Sequence, residues 1–110
     1  MDQALVATLG SFDGIHRGHQ QLFARMQAFA RQLGGRTLVL TFDPHPAELL
    51  RPEAAPLHLL PLAENVAYIY AADIDAVEVE SFTRELAART AGEYLRHLAT
   101  DYGVTHLFLG

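Results

Sequence analysis

The segment "ALVATLGSFDGIHRGH", Ala4 to His19, decides how this chain of 110 residues is read. Its first six residues, Ala4 to Leu9, form an apolar run that suits a strand buried on both faces. The next ten, "GSFDGIHRGH", hold three glycines, two histidines and an aspartate. Gly10 ends the strand and lets the chain turn without a Cβ clash. Gly14 offers a positive φ or a close ligand approach, and Gly18 leaves the start of the next element uncovered. Leu22, Phe23, Met26, Phe29, Ala30 and Leu33 then recur at three- and four-residue spacing. An amphipathic helix is therefore expected from Gly18 to Leu33, stopped by Gly34-Gly35.

Working outward, Thr37 to Phe42 reads as a second buried strand, broken by "DPHP". Two strands joined through a helix make a right-handed βαβ unit with parallel pairing. Residues 43–61 contain all five prolines and read as a long loop. A helix from Leu62 to Ala72, an alternating strand from Asp75 to Val79 and a helical turn between Ser81 and Ala88 follow. Thr90 and Glu93 form a capping box that opens a helix running through Tyr102, with Gly103 as its C-cap. Val104 to Leu109 is the last expected strand, ending at Gly110. The expectation is one α/β domain over residues 1–110, a parallel sheet with flanking helices. Ligands of such folds sit beyond the carboxyl ends of the strands. "GSFDGIHRGH", "DPHP" and Gly110 each follow a strand, so they share that edge.

Composition narrows the chemistry. A formal net charge of −5 argues against non-specific nucleic-acid binding, which needs a basic face. There is no cysteine, which removes thiol catalysis, disulfides and thiolate-bound zinc. All eight basic residues are arginine. Without lysine neither a Walker-type phosphate loop nor Schiff-base chemistry is open. No apolar run approaches the ~20 residues of a membrane span, and no leader pattern precedes Ala4. A cytoplasmic protein without membrane contact is expected. The sequence carries no signal for oligomeric state.

A phosphate-bearing small ligand needs only a local site. His16 and His19, three residues apart, lie on one side of the first helical turn if the helix begins near Ile15. The free amides and partial positive charge of a helix N-terminus suit phosphate. Two imidazoles beside it can donate to phosphate oxygens and stabilise charge on a leaving group. A metal site built from Asp13, His16, His19 and His45 would leave the three glycines unexplained. His58, His97 and His106 have no motif context and read as surface or partly buried. Asp73, Asp75, Glu78 and Glu80 read as a solvated edge.

"GSFDGIHRGH" resembles the G-x-F-D-G-x-H-x-G-H signature of bacterial FAD synthetases, the FMN adenylyltransferase modules of bifunctional riboflavin kinase/FAD synthetases. "TFDPHP", Thr41 to Pro46, resembles that family's T-F-x-P-H-P signature, and the spacing between the two agrees. His16-Arg17-Gly18-His19 alone matches the H-x-G-H of the wider nucleotidyltransferase superfamily. Glu64, Phe82 and "GVTHLFLG" align loosely with later helices and the V-V-G strand. The resemblance implies a Rossmann-like nucleotidyltransferase fold that transfers AMP from ATP to FMN with Mg²⁺, giving FAD and pyrophosphate. It implies His16 and His19 as the catalytic pair on the ATP phosphates. Gly10, Ser11, Phe12, Asp13, Gly14, Gly18 and Gly110 would form the nucleotide side. Thr41, Phe42, Pro44, His45 and Pro46 would form the flavin and phosphate side. No resident metal ligand is implied. The family's G-x-D-F-x-F-G loop, I-S-S-T-x-x-R motif and kinase module are not in this sequence, so it reads as the amino-terminal part of such a domain. Two alternatives stand beside this reading: a nucleotidyltransferase with another phosphorylated acceptor, and a nucleotide- or flavin-binding module without turnover.

Overall fold

A computed structural model describes residues 3–10, 17–43, 62–81 and 83–109. In chain order the elements are β1 (Leu5–Leu9), α1 (Arg17–Leu33), β2 (Arg36–Asp43), α2 (Leu62–Ala71) and β3 (Ala76–Ser81). They are followed by α3 (Arg84–Ala87), α4 (Ala91–His97), a π-helical turn (Leu98–Tyr102) and β4 (His106–Leu107). The strands form one sheet in the order β3-β2-β1-β4, and every neighbouring pair is parallel.

Side chains alternate across this sheet, so each face carries its own core. Val6 and Val39 pack with Phe23, Met26 and Ala30 of α1 and with Ile69 and Ile74. Ala7, Leu38 and Leu40 face the other way and pack on Leu98, with Tyr94 and Tyr102 closing over them. Helices on both faces explain why β1 and β2 read as unbroken apolar runs.

The turn from α1 into β2 sets the register. Gly34 has φ +66°. Its N–H donates to the Arg31 carbonyl at 3.1 Å, and the Gly35 N–H donates to that of Ala30 at 2.8 Å. This is a Schellman closure, which needs a residue at ease with positive φ at its penultimate position. Gly35 serves differently. A Cβ there would stand 2.4 Å from the Ala4 carbonyl oxygen. The Arg36 N–H bonds that same oxygen at 2.9 Å, and the β1–β2 ladder begins there with Leu5 opposite Arg36.

Two further devices fix the edge strand β3. Asp75 accepts from the Thr37 N–H at 2.9 Å and from its hydroxyl at 3.1 Å, while the Asp75 N–H donates back to that hydroxyl at 2.9 Å. The Tyr70 hydroxyl accepts from the Val77 N–H at 3.1 Å. That covers one donor on a strand whose outer side has no sheet neighbour among the described residues.

The element order agrees with expectation, with differences at the carboxyl half. The capping box at Thr90 and Glu93 is present, and Gly103 has φ 76°. The expected helix through Tyr102 instead stops at His97 and widens into the π turn. The expected strand Val104–Leu109 shrinks to His106–Leu107, and Leu109 is exposed. β4 has β1 as its neighbour, and β1 is five residues long. The expected loop at 43–61 lies, apart from Asp43, outside the described residues. No helix among the described residues is long and apolar enough to cross a membrane.

Gly35→Ala should therefore cost about 1–3 kcal/mol, because backbone rather than a movable side chain stands in the way. Gly92→Ala, where a Cβ meets nothing within 4 Å inside a helix, should stabilise by about 0.4–1 kcal/mol. Urea denaturation of the two variants checks both signs.

Candidate functional site

The chain steps from β1 to β2 to β3 in one direction, then crosses back to place β4 on the far side of β1. The strand order therefore reverses between β1 and β4, and the crevice beyond their carboxyl ends is where such sheets receive ligands. Its walls are tied together. The Thr8 hydroxyl donates to the Phe108 carbonyl at 2.8 Å, and the Phe108 N–H donates to the Ala7 carbonyl at 2.7 Å. Phe108 rests on Phe29 of α1, ring centroids 5.3 Å apart. On the other side of β1 the Gly10 N–H donates to the Leu40 carbonyl at 3.0 Å, so the chain leaves β1 still anchored to β2.

α1 begins at Arg17, near this edge. The first-turn amides of a helix have no intrahelical partner and carry partial positive charge. No acidic residue occupies that turn to compete for them. His19 heads the stripe His19, Phe23, Met26, Ala30 that faces the sheet, at spacings of four, three and four. Its ring stacks on Phe23 with centroids 6.5 Å apart and 29° between planes. It is half-buried, and its Nδ1 is shielded from solvent. A histidine pinned this way is a fixed polar group at the mouth of the sheet rather than a solvated side chain.

The other expected site residues divide. Gly10, Gly18 and His19 come to the carboxyl edge, with Gly18 in the first turn of α1. Thr41 and Phe42 follow one another on β2 and so face opposite sides. Thr41 is buried, 2% exposed, on the α1 side, and Phe42 is half-buried on the α4 side. Ser11, Phe12, Asp13, Gly14, His16, Pro44, His45, Pro46 and Gly110 lie outside the described residues.

The solvated edge expected at Asp73, Asp75, Glu78 and Glu80 needs correction at two positions. Asp75 is exposed but holds Thr37, as above. Glu80 projects from β3 towards α4, and its side chain is only 12% exposed. Its Oε2 accepts from the Tyr102 hydroxyl at 2.8 Å and lies 3.1 Å from His97 Nε2, while Oε1 accepts from the Tyr94 hydroxyl at 3.2 Å. His97 Nδ1 lies 2.5 Å from Asp101 Oδ2. Burial, followed by the Glu80 charge and hydrogen bond, pushes both tyrosines well above their ordinary range. Burial disfavours the charged form of His97, yet the bonds to Glu80 and Asp101 outweigh it and hold the imidazole above 6.5. A signal for this cluster was present. Glu80 falls in phase with Ala76 on β3, on the face that meets the helical stripe Tyr94, Leu98, Tyr102.

A 3-2-1-4 parallel sheet flanked by helices, with the start of α1 and His19 at its switch point, defines a Rossmann-like α/β domain. The chain belongs to the FAD synthetase family, whose profile matches residues 1–110. It is similar to the bifunctional riboflavin kinase/FMN adenylyltransferase of Pseudomonas fluorescens, 40% identical over 96% of this chain and 34% of that protein. The protein of the same name from Escherichia coli K12 is 35% identical over 91% of this chain and 32% of that protein. The chain thus spans about a third of the length of these curated relatives. A solved structure described as a macrolide-efflux protein from Streptococcus pneumoniae superposes with a TM-score of 0.77 at 31% identity, over 97% of this chain and 41% of that one.

Thr8→Val keeps the shape of the side chain and removes its donor. The Phe108 carbonyl then loses its bond, at a cost of about 1–3 kcal/mol. Hydrogen exchange should show the Phe108 amide losing protection while those at the β1–β2 ladder keep theirs.

Proposed function

We propose that this chain forms the adenylyl-transfer site of an FMN adenylyltransferase, taking ATP and FMN at the carboxyl edge and giving FAD and pyrophosphate. The observation that carries the reading is His19, stacked on Phe23 on the sheet-facing stripe, in a first turn of α1 that holds no acidic residue. Family membership supports the acceptor, since the relatives it matches are named for this reaction.

In the proposed reaction an oxygen of the FMN phosphate attacks the α-phosphorus of ATP. That P–O bond forms as the bond from the α-phosphorus to the bridging oxygen breaks, and pyrophosphate leaves with the electron pair. The phosphate dianion needs no base, so alignment and charge neutralisation dominate. His19, with His16, would donate to oxygens on the transferring and departing phosphates, and the α1 amides would receive the remaining charge. Gly10, Gly14 and Gly18 would let the triphosphate approach the backbone, beside Ser11, Phe12, Asp13 and Gly110. Phe42, Pro44, His45 and Pro46 would form the acceptor side. Thr41, buried under α1, would support that strand end rather than touch flavin. Among the described residues no three metal-ligating side chains converge. Mg²⁺, which the proposed reaction takes with ATP, would supply charge neutralisation on the phosphates.

The test is chromatographic detection of FAD after incubating the purified chain with FMN, ATP and Mg²⁺. Wild type should form FAD, and His19→Ala should be slower by about 10²–10³-fold, the loss expected for one transition-state donor. Equal rates would remove His19 from the reaction. A wild-type chain that neither forms FAD nor binds ATP or FMN would contradict the assignment.

A further inference from the structure

The polar cluster on the α4 side of the sheet lies outside the chemistry above, and its geometry specifies a protonation state. Both ring nitrogens of His97 face carboxylate oxygens, Nε2 towards Glu80 and Nδ1 towards Asp101. A neutral imidazole has one donor and one acceptor nitrogen, and an ionised carboxylate offers only acceptors. Either neutral tautomer would therefore set a lone pair against an oxygen. Only the imidazolium donates on both sides.

Glu80 is matched to that partner. Its two oxygens take donors from Tyr94, Tyr102 and His97, which satisfies a mostly buried carboxylate as long as it stays charged. The rings are packed as well as bonded. His97 stands edge-on to Tyr102 at 5.5 Å and tilted against Tyr94 at 5.6 Å. The π turn contributes by bringing Asp101 and Tyr102, adjacent in sequence, back onto the same histidine. Such single π turns recur where a helix is bent to a task.

The cluster joins parts of the fold that little else joins. Glu80 sits one residue before the end of β3, an edge strand, and its register partner is Phe42. His97, Asp101 and Tyr102 belong to the segment that runs through Gly103 into β4, one wall of the crevice. The core beneath them is thin, with Leu98 the one fully buried side chain from the helical layer among the described residues. We propose that Glu80, His97 and Asp101 form a proton-operated latch, shut when His97 is an imidazolium and opened as rising pH neutralises it, which holds the α4 layer and the π turn against the edge strand β3.

The titratable groups facing the histidine are Glu80 from β3, Tyr94 from α4, and Asp101 with Tyr102 from the π turn; Glu78 of β3 acts on Tyr102. Arg89, Glu93 and Arg96 line an open hollow of about 320 Å³ beside it. The sign follows from linkage. His97 is held above its unfolded value of 6.5, so its contribution is complete below 6.5 and is lost as pH climbs through the folded value. Opening should become more frequent by up to about tenfold per pH unit in that window, one proton being released.

Two measurements on the 110-residue chain test this. Nitrogen-15 NMR of the histidine rings should show both nitrogens of His97 protonated at neutral pH; a neutral tautomer there overturns the latch. Hydrogen exchange, corrected for intrinsic rate, should show amides of residues 94–104 losing protection as pH rises above 6.5 while those of Phe23 to Ala30 hold. His97→Gln keeps a donor towards Glu80 but cannot titrate, so its protection should be flat over that range. A variant that loses protection with pH as the wild type does overturns the proposal. Glu80→Gln should lower the His97 titration midpoint, and an unchanged midpoint counts equally against it. Neither ligand nor turnover enters these readouts, so they stand apart from the test of the adenylyl-transfer assignment.

Discussion

The contact on which the structure depends most is the approach of Gly35 to Ala4. The backbones are close enough that one carbonyl oxygen accepts the first bond of the β1–β2 ladder while leaving no room for a Cβ. α1 must end there, in a Schellman closure, so that β2 can start level with β1. From that point the parallel register runs without interruption to Leu9 opposite Leu40, and the Gly10 N–H extends it by one bond. A constraint at the amino ends of the strands thus sets what stands at their carboxyl ends. It also orients α1 along its whole length, so the stripe that buries Phe23, Met26 and Ala30 delivers His19 to the opposite edge.

That edge combines three effects of similar sign. In the proposed reading the helix N-terminus would supply oriented amides, Gly10 and Gly18 would leave the backbone approachable, and His19, stacked on Phe23, would be placed before its ligand arrives. A chain without lysine must meet phosphate charge with arginine, histidine and backbone amides. Fixing the donors beforehand also matters for phosphoryl chemistry, where little reorganisation is left for the reacting state. On the far face the same sheet is held by a different logic. Its apolar core is thinner, and a charged carboxylate with three donors supplements it. Buried ionic groups of this kind specify position more than they add stability, and here they specify where the helical layer meets an edge strand.

Much of this was legible in the sequence. The period of two that fails in Ala4–Leu9, the helical spacing after Gly18, the double glycine and the capping box at Thr90 are local signals, and local geometry obeys them. The carboxyl half was less legible because its outcome depends on partners. β4 pairs with β1 at only two positions, and the helix before it widens where Asp101 and Tyr102 both turn to His97. Glu80 read as solvated because a charge on an alternating edge strand usually is; its burial depends on a tyrosine stripe fourteen residues and more away. Thr41 and Phe42 were grouped by motif, whereas strand parity separates them. His19 was taken as a ligand-facing residue on motif grounds. The spacing 19, 23, 26, 30 also shows how it is held.

The proposed chemistry requires phosphate to dock on the carboxyl edge, at the start of α1. Chemical-shift mapping of the ¹⁵N-labelled chain during an ATP titration tests it most directly. The account predicts the largest amide shifts at Gly10, Gly18 and His19, with little change around Glu80 and Tyr102. A second polar hollow, about 360 Å³ and lined by Gln27, Arg31, Thr37, Asp73 and Asp75, lies at the opposite end of the sheet. Shifts centred there, with Gly18 and His19 unmoved, would contradict the account.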